Sequence, residues 1–151
     1  MNSIEKIKSL SIWSHELTIN PLEGGITNLN FLVNHGNDKL VVRLGQDIPE
    51  HLVFRSNEIN VSKAAYEIGV SPKLIHSELG VLVLEFIESE TLDPKGVQKN
   101  LEKIMPVIKK IHHEIPNFLS GQPAMFWVFH VIKYYANFLR LNHSSHQDKI
   151  H

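Results

Sequence analysis

Residues 22–46 read "LEGGITNLNFLVNHGNDKLVVRLGQ". Two runs with alternating side chains, Leu29–His35 and Lys39–Leu44, flank "HGND". Gly, Asn and Asp supply turn chemistry, so the two runs are expected to pair as a β-hairpin. Strand alternation puts Leu40, Val42 and Leu44 on one face and Val41 and Arg43 on the other. A cation therefore stands where an apolar side chain would ordinarily continue the strand.

Working outward, His15–Leu22 reads as a preceding strand, and Ile4, Ile7 and Leu10 keep helical spacing near the start. Downstream, Val53–Ile68 reads as a helix, with Gly69 placed to cap its C-terminus and Pro72 shortly after. "KLIHSELGVLVLEFI" then gives two more strands around a tight "ELG" turn. Asp93 is a good N-cap with Pro94 at the first helical position. Val97, Leu101, Ile104, Ile108 and Ile111 trace one apolar stripe from there, and Pro106 is expected to kink that helix. After a loop containing Gly121 and Pro123, Ala124–Leu141 reads as a helix that is apolar on nearly every side. Three strands, a helix, two strands and then helices only make an α+β pattern: a five-stranded antiparallel sheet followed by a helical region.

Composition narrows the function classes. In 151 residues, 42% hydrophobic and 21% charged, the chain has the balance of a folded globular protein. Its 15 basic and 16 acidic side chains argue against a nucleic-acid patch or an acidic tail. With no cysteine, disulfides, thiolate catalysis and cysteine zinc sites are excluded. No run approaches the roughly 20 apolar residues of a membrane span, and the start lacks the apolar core of a signal peptide, so a cytoplasmic location is expected. His143, His146 and His151 have neither cysteines nor a regular carboxylate pattern near them, and read as a solvated tail.

The Val53–Ile68 segment carries a second misplaced charge. Phe54, Val61, Ala65 and Ile68 share one helical face, and Glu58 falls among them. An inward carboxylate is costly unless a cation meets it, and Arg43 is an inward cation on the neighbouring strand. Such a pair serves either as a purely structural ion pair or as a mount holding a guanidinium, with its fixed fork of donors, against phosphate. A glycine-rich turn between strands, then a strand cation, then a helix glutamate is the ordered set of kinase-type ATP lobes. The segment "IESETLD" after "VLVLEF" is the matching connector, where an adenine ring would bond to backbone.

These features resemble the choline/ethanolamine kinase family, within the wider group that includes aminoglycoside phosphotransferases. The resemblance rests on "GGITNLNFLV", "KLVVRLG", "FRSNEINVSKAAYEIGVSPKLI", "GVLVLEFIESETLD", "KKIHHEIP" and "FWVFHVIKYYANFLRL", from about residue 20 to the end. It implies a protein-kinase-like ATP-binding lobe over residues 1–87, then a linker and the first helices of a helical lobe over 88–151. It implies ATP and Mg²⁺ as cofactors, choline or ethanolamine as the alcohol acceptor, and a place in phospholipid precursor metabolism. Gly24, Gly25, Thr27 and Asn28 would form the nucleotide loop. Arg43 would replace the usual strand lysine and bind phosphates, with Glu58 as its helix partner. Glu85 and Ile87 would offer backbone carbonyl and amide to adenine, and Val41 and Leu84 would line the ring.

The chain departs from the family pattern in one large respect. The later H-x-D-x-x-x-x-N loop, which orients the acceptor hydroxyl and helps hold metal, has no counterpart: His112 and His113 are followed by "EIPNF". No catalytic or metal-ligating residue is assigned, and Mg²⁺ ligands are expected in a further C-terminal part. The expectation is an incomplete helical lobe, inactive alone, that self-associates through its apolar last helix. Trp127, Phe129, Tyr134 and Tyr135 read as packing residues for that lobe rather than a choline cage. Two other readings remain: a non-catalytic nucleotide- or partner-binding remnant, and an aminoglycoside-type phosphotransferase.

Overall fold

The computed structural model describes residues 2–23, 27–121 and 126–146. Five strands form one antiparallel sheet in the order β1-β2-β3-β5-β4: β1 (Leu17–Leu22), β2 (Leu29–His35), β3 (Asp38–Leu44), β4 (Leu74–Glu78) and β5 (Val81–Glu85). The α+β class and the five-stranded sheet are as the sequence indicates. The β2–β3 hairpin closes through Gly36 and Asn37 between the His35–Asp38 pair, and Gly36 takes a φ of 60°. In the β4–β5 hairpin the turn residues are Leu79 and Gly80, and the positive φ, 73°, falls at the second of them, Gly80. Both values lie in the left-handed region that glycine enters without a Cβ penalty.

The two sheet faces differ in chemistry. Phe31, Val33, Leu40, Val42, Leu44, Val81 and Val83 form one face and pack with Ile7 and Leu10 into the apolar core. Ile7 belongs to α1 (Ser3–Lys8), which starts in a capping box: Asn2 Oδ1 accepts from the Glu5 amide, and Glu5 Oε2 accepts from the Asn2 amide. The opposite face carries Asn30, Leu32, Val41, Arg43, Leu82 and Leu84, as the register pairs Asn30 with Arg43, Arg43 with Leu82, and Val41 with both Leu32 and Leu84.

Helix α2 spans Arg55–Glu67 and packs against β4. It begins later than Val53 because Val53 forms an isolated bridge with Ile48 across the turn Pro49–His51. Its end is the Schellman arrangement expected of Gly69. The Gly69 amide donates to the Tyr66 carbonyl at 2.8 Å and the Val70 amide to the Ala65 carbonyl at 2.9 Å. Strand β1 likewise begins after His15, because the Ser14 and His15 amides donate to His35 Nε2 at 3.0 and 3.2 Å instead of joining the ladder.

The helical region corrects two boundaries. The stripe from Val97 to Ile111 is not one helix: α3 (Pro94–Lys99) and α4 (Leu101–Phe118) meet at Asn100, whose φ of −113° breaks the helical path. Asn100 Nδ2 turns back to the Gly96 carbonyl at 2.8 Å. Pro106 and Pro116 both lie inside α4, so the break falls upstream of the proline expected to disturb it. Asp93 caps α3 as expected, accepting from the Gly96 amide at 2.6 Å. The last helix, α5, spans Val128–Leu141; Trp127 is its extended N-cap, and residues 124 and 125 of the expected Ala124–Leu141 helix lie outside the described residues. On α5 only Val131 and Ala136 are buried, while Phe129, Ile132, Phe138 and Leu141 are exposed. No described helix is long and apolar enough to cross a membrane.

Val42 is fully buried at the centre of the core. Val42→Ala should lower the unfolding free energy by roughly 2 kcal/mol, from two lost methyl groups plus the cavity. Leu79→Ala, at a turn residue 84% exposed, should change it by less than about 0.5 kcal/mol. Urea unfolding of the two variants checks the contrast.

Candidate nucleotide-binding site

Arg43 and Glu58 meet as their spacing suggests. Arg43 Nη1 lies 2.8 Å from Glu58 Oε1, and Arg43 Nε donates to Asn30 Oδ1 at 3.3 Å. Strand β3 supplies the cation because alternation turns position 43 away from the apolar core. Helix α2 supplies the carboxylate from its first turn. Val41 and Leu84 are direct cross-strand partners on the same face as Arg43. An apolar floor and a cation are thus set side by side.

A third charge completes the cluster and was not singled out from the sequence. Arg55, the first residue of α2, is only 5% exposed. Its Nη1 lies 2.7 Å from Glu58 Oε2, so each carboxylate oxygen receives one guanidinium. Arg55 Nε donates to the Gln46 carbonyl at 2.9 Å, and its backbone amide to Asp47 Oδ1 at 2.7 Å. Asp47 therefore satisfies a helix-start amide that the N-cap Phe54 cannot. The sequence signal was present in the spacing of Arg55 and Glu58, three apart on one helix.

Burial pushes the Glu58 carboxyl up, but hydrogen bonds and charge from Arg43 and Arg55 together outweigh it and hold the group below its ordinary value of 4.5. The pair is partly screened, since the Arg43 side chain is 35% exposed and that of Glu58 18%.

The other expected site residues are placed as follows. Gly24 and Gly25 lie outside the described residues. Thr27 is exposed and Asn28 half-buried, and both line a hollow of about 460 Å³ with Leu44, Gly45 and Gly80. The Glu85 side chain belongs to the other sheet face, opposite Leu40, and its amide donates to the Lys73 carbonyl at 2.9 Å. Only its carbonyl thus remains for the expected adenine contact. Ile87 is exposed, and its carbonyl accepts from Ser89 Oγ at 3.3 Å. A larger groove of about 650 Å³ lies on the opposite side of the sheet, among Trp13, His35, Leu40, Glu85 and Phe86. It holds neither Arg43 nor Glu58, so size and chemistry point to different places; the charge cluster is the stronger guide. Among the described residues, no group of three or more His, Asp or Glu is arranged to hold a metal ion.

Comparison with known proteins agrees with this architecture. The family model for choline/ethanolamine kinase matches residues 19–150, and the chain belongs to that family. A search of curated proteins gave no significant match. Among solved structures, an ethanolamine kinase of Plasmodium vivax matches with a TM-score of 0.63 at 17% identity, over 91% of this chain and 41% of that one. A choline kinase from Cryptosporidium parvum gives 0.61 at 19% identity, over 87% and 39%. The choline kinase LicA from Streptococcus pneumoniae gives 0.56 at 23%, over 91% and 54%. These likenesses show a kinase-like fold, and the chain spans between 39% and 54% of the length of those three kinases.

The lowered carboxyl gives a pH dependence of definite sign. A depressed folded pKa contributes stability above the unfolded value of 4.5, and that contribution is lost as pH falls through the folded pKa. Glu58→Gln should cost about 2 kcal/mol at pH 7, the value for a broken buried pair discounted for exposure. The variant should then lose less stability than wild type between pH 6 and pH 3. Urea melts across that range would show parallel losses if the carboxylate were not clamped.

Proposed function

We propose that this chain is the ATP-binding part of a small-molecule kinase that transfers the ATP γ-phosphate to choline or ethanolamine. The observation that carries this reading is the Glu58-held Arg43 on the same sheet face as Val41 and Leu84. Family membership supports the substrate class.

In this reading residues 1–87 form the nucleotide lobe and 88–151 the linker and first helices of the helical lobe. The adenine ring lies over Val41 and Leu84, with its polar edge toward the Glu85 carbonyl and the Ile87 amide. Arg43 uses Nε and Nη1 on Asn30 and Glu58, and turns Nη2 to phosphate. The turn Gly24, Gly25, Thr27 and Asn28 covers the phosphates. Bound ATP supplies the transferable phosphoryl group, and Mg²⁺ neutralises its charge. No Mg²⁺ ligand is assigned here, because the described carboxylates do not converge. The hydroxyl-orienting and metal-holding groups would come from further chain, so these 151 residues alone bind nucleotide without turnover. A charge-assisted contact is worth about 1.5–3 kcal/mol, so Arg43→Ala should weaken MgATP binding by at least about tenfold. Titration calorimetry giving equal affinity for wild type and variant would remove Arg43 from the site.

The same reading explains the helices. Leu101, Met105 and Ile108 of α4, and Phe129, Ile132 and Phe138 of α5, are exposed apolar side chains, a surface that normally marks an interface. In the complete kinase the remaining helical lobe would cover it. The isolated chain should therefore self-associate, and Phe129→Ser with Phe138→Ser should shift it toward monomer. Sedimentation velocity over a concentration series reads this out; a wild-type monomer at every concentration would contradict it.

A further inference from the structure

Two buried polar atoms beside the charge cluster have no hydrogen-bond partner among the described residues: Arg55 Nη2, a donor, and Asn28 Oδ1, an acceptor. They are neighbours. A Cβ at Gly45 would lie 2.5 Å from Arg55 Nη2 and 2.6 Å from Asn28 Oδ1, so both atoms crowd the same bare backbone. Glycine at position 45 leaves an opening through which the segment before β2 faces the guanidinium.

The rest of Arg55 is fixed. Nε is held by the Gln46 carbonyl and Nη1 by Glu58, so the fork cannot turn away from Asn28. Leaving a cationic donor and an amide oxygen buried and unpaired around one glycine is costly, and a hydrogen bond between them would remove both penalties at once. The oxygen is the amide atom that suits a cation, which fixes the sense of the Asn28 amide.

We propose that Arg55 is a positioning residue that ties the nucleotide loop to helix α2, through a hydrogen bond from its Nη2 to Asn28 Oδ1. One guanidinium then links Asn28 to Glu58, and Glu58 links onward to Arg43. The loop and the phosphate-facing cation are set by a single connected network, present before any ligand arrives. The tie rests on the nucleotide-site reading for its purpose, though not for its existence.

Hydrogen exchange at the amides of Thr27, Asn28 and Leu29, in the nucleotide-free chain, tests the tie directly. Asn28→Ala and Arg55→Lys should each speed exchange there by about fivefold, the factor for one lost hydrogen bond. The double variant should be no faster than either single one, because both remove the same bond. Asn28→Asp should slow exchange by turning the bond into an ion pair. Arg55→Lys keeps a cation on Glu58, so a purely structural Arg55 would leave the loop amides unchanged. Should Arg55→Lys fail to fold, the opposite signs for Asn28→Ala and Asn28→Asp still decide the matter. Equal exchange in all variants, or additive effects in the double variant, overturns the tie. MgATP titration in parallel separates the two ideas: loop exchange as stated with no MgATP bound by wild type removes the nucleotide reading and leaves the tie standing.

Discussion

One carboxylate held between two guanidiniums organises this molecule. Glu58 gives Oε1 to Arg43 on the sheet and Oε2 to Arg55 on its own helix. Neither arginine could sit where it does without that carboxylate, because a desolvated cation is tolerated only when paired. The contact also helps to place α2. On this helix Arg55, Ala64 and Ala65 are buried and Glu58, Ile59 and Val61 half-buried, so the charge cluster and an apolar face together set its orientation. The two arginines are not equivalent. Arg55 is enclosed and fully occupied on two of its nitrogens, whereas Arg43 keeps a third of its side chain exposed. An enclosed guanidinium and a partly exposed one thus share one counter-ion.

The two faces of the sheet are closed differently: α2 meets the Arg43 face at Glu58, and Leu82 and Leu84 are buried there. The apolar face is sealed by Ile7 and Leu10 with the flanking Ile12 and Trp13, and Trp13 Nε1 is fastened to the Ile7 carbonyl. With the core completed there, the opposite face carries Asn30, Val41, Arg43 and Leu84. The segment before β1 is therefore part of the sheet's architecture, and Lys6 Nζ reaches the Leu79 carbonyl in the β4–β5 turn at 3.5 Å.

The sheet was legible because its signals are local: alternation in "NFLV" and "KLVVRL", and turn residues in "HGND" and "ELG". The Arg43–Glu58 pair was legible as two charges each on an apolar face, one period-two and one helical. Arg55 escaped because it lies off the stripe of Phe54, Val61, Ala65 and Ile68 that drew attention to Glu58. Its burial is set by Gly45, Gln46 and Asp47, contacts between separate segments that periodicity cannot register. The break at Asn100 escaped for a different reason. A side chain that satisfies a carbonyl four residues back interrupts an apolar stripe without altering it, whereas Pro106 looks disruptive on paper yet is accommodated within α4. Likewise, the outward turn of the Glu85 side chain follows from register, while the use of its amide by Lys73 depends on how β4 is bulged between Leu74 and His76.

The choice of arginine at position 43 follows from the same geometry. A lysine there would bring one point charge on a flexible stem, and saturating Glu58 would leave no oriented donor for anything else. A guanidinium has five donors in one plane. With Nε on Asn30 and Nη1 on Glu58, two contacts fix the plane of the group. In the proposed nucleotide site, a donor set beforehand would avoid the entropy of ordering a long side chain at the moment of binding. The same argument explains why a second arginine, not a lysine, completes the cluster. Arg55 must hold the Gln46 carbonyl and Glu58 at once while keeping a donor beside Asn28, and three directions from one side chain require the fork.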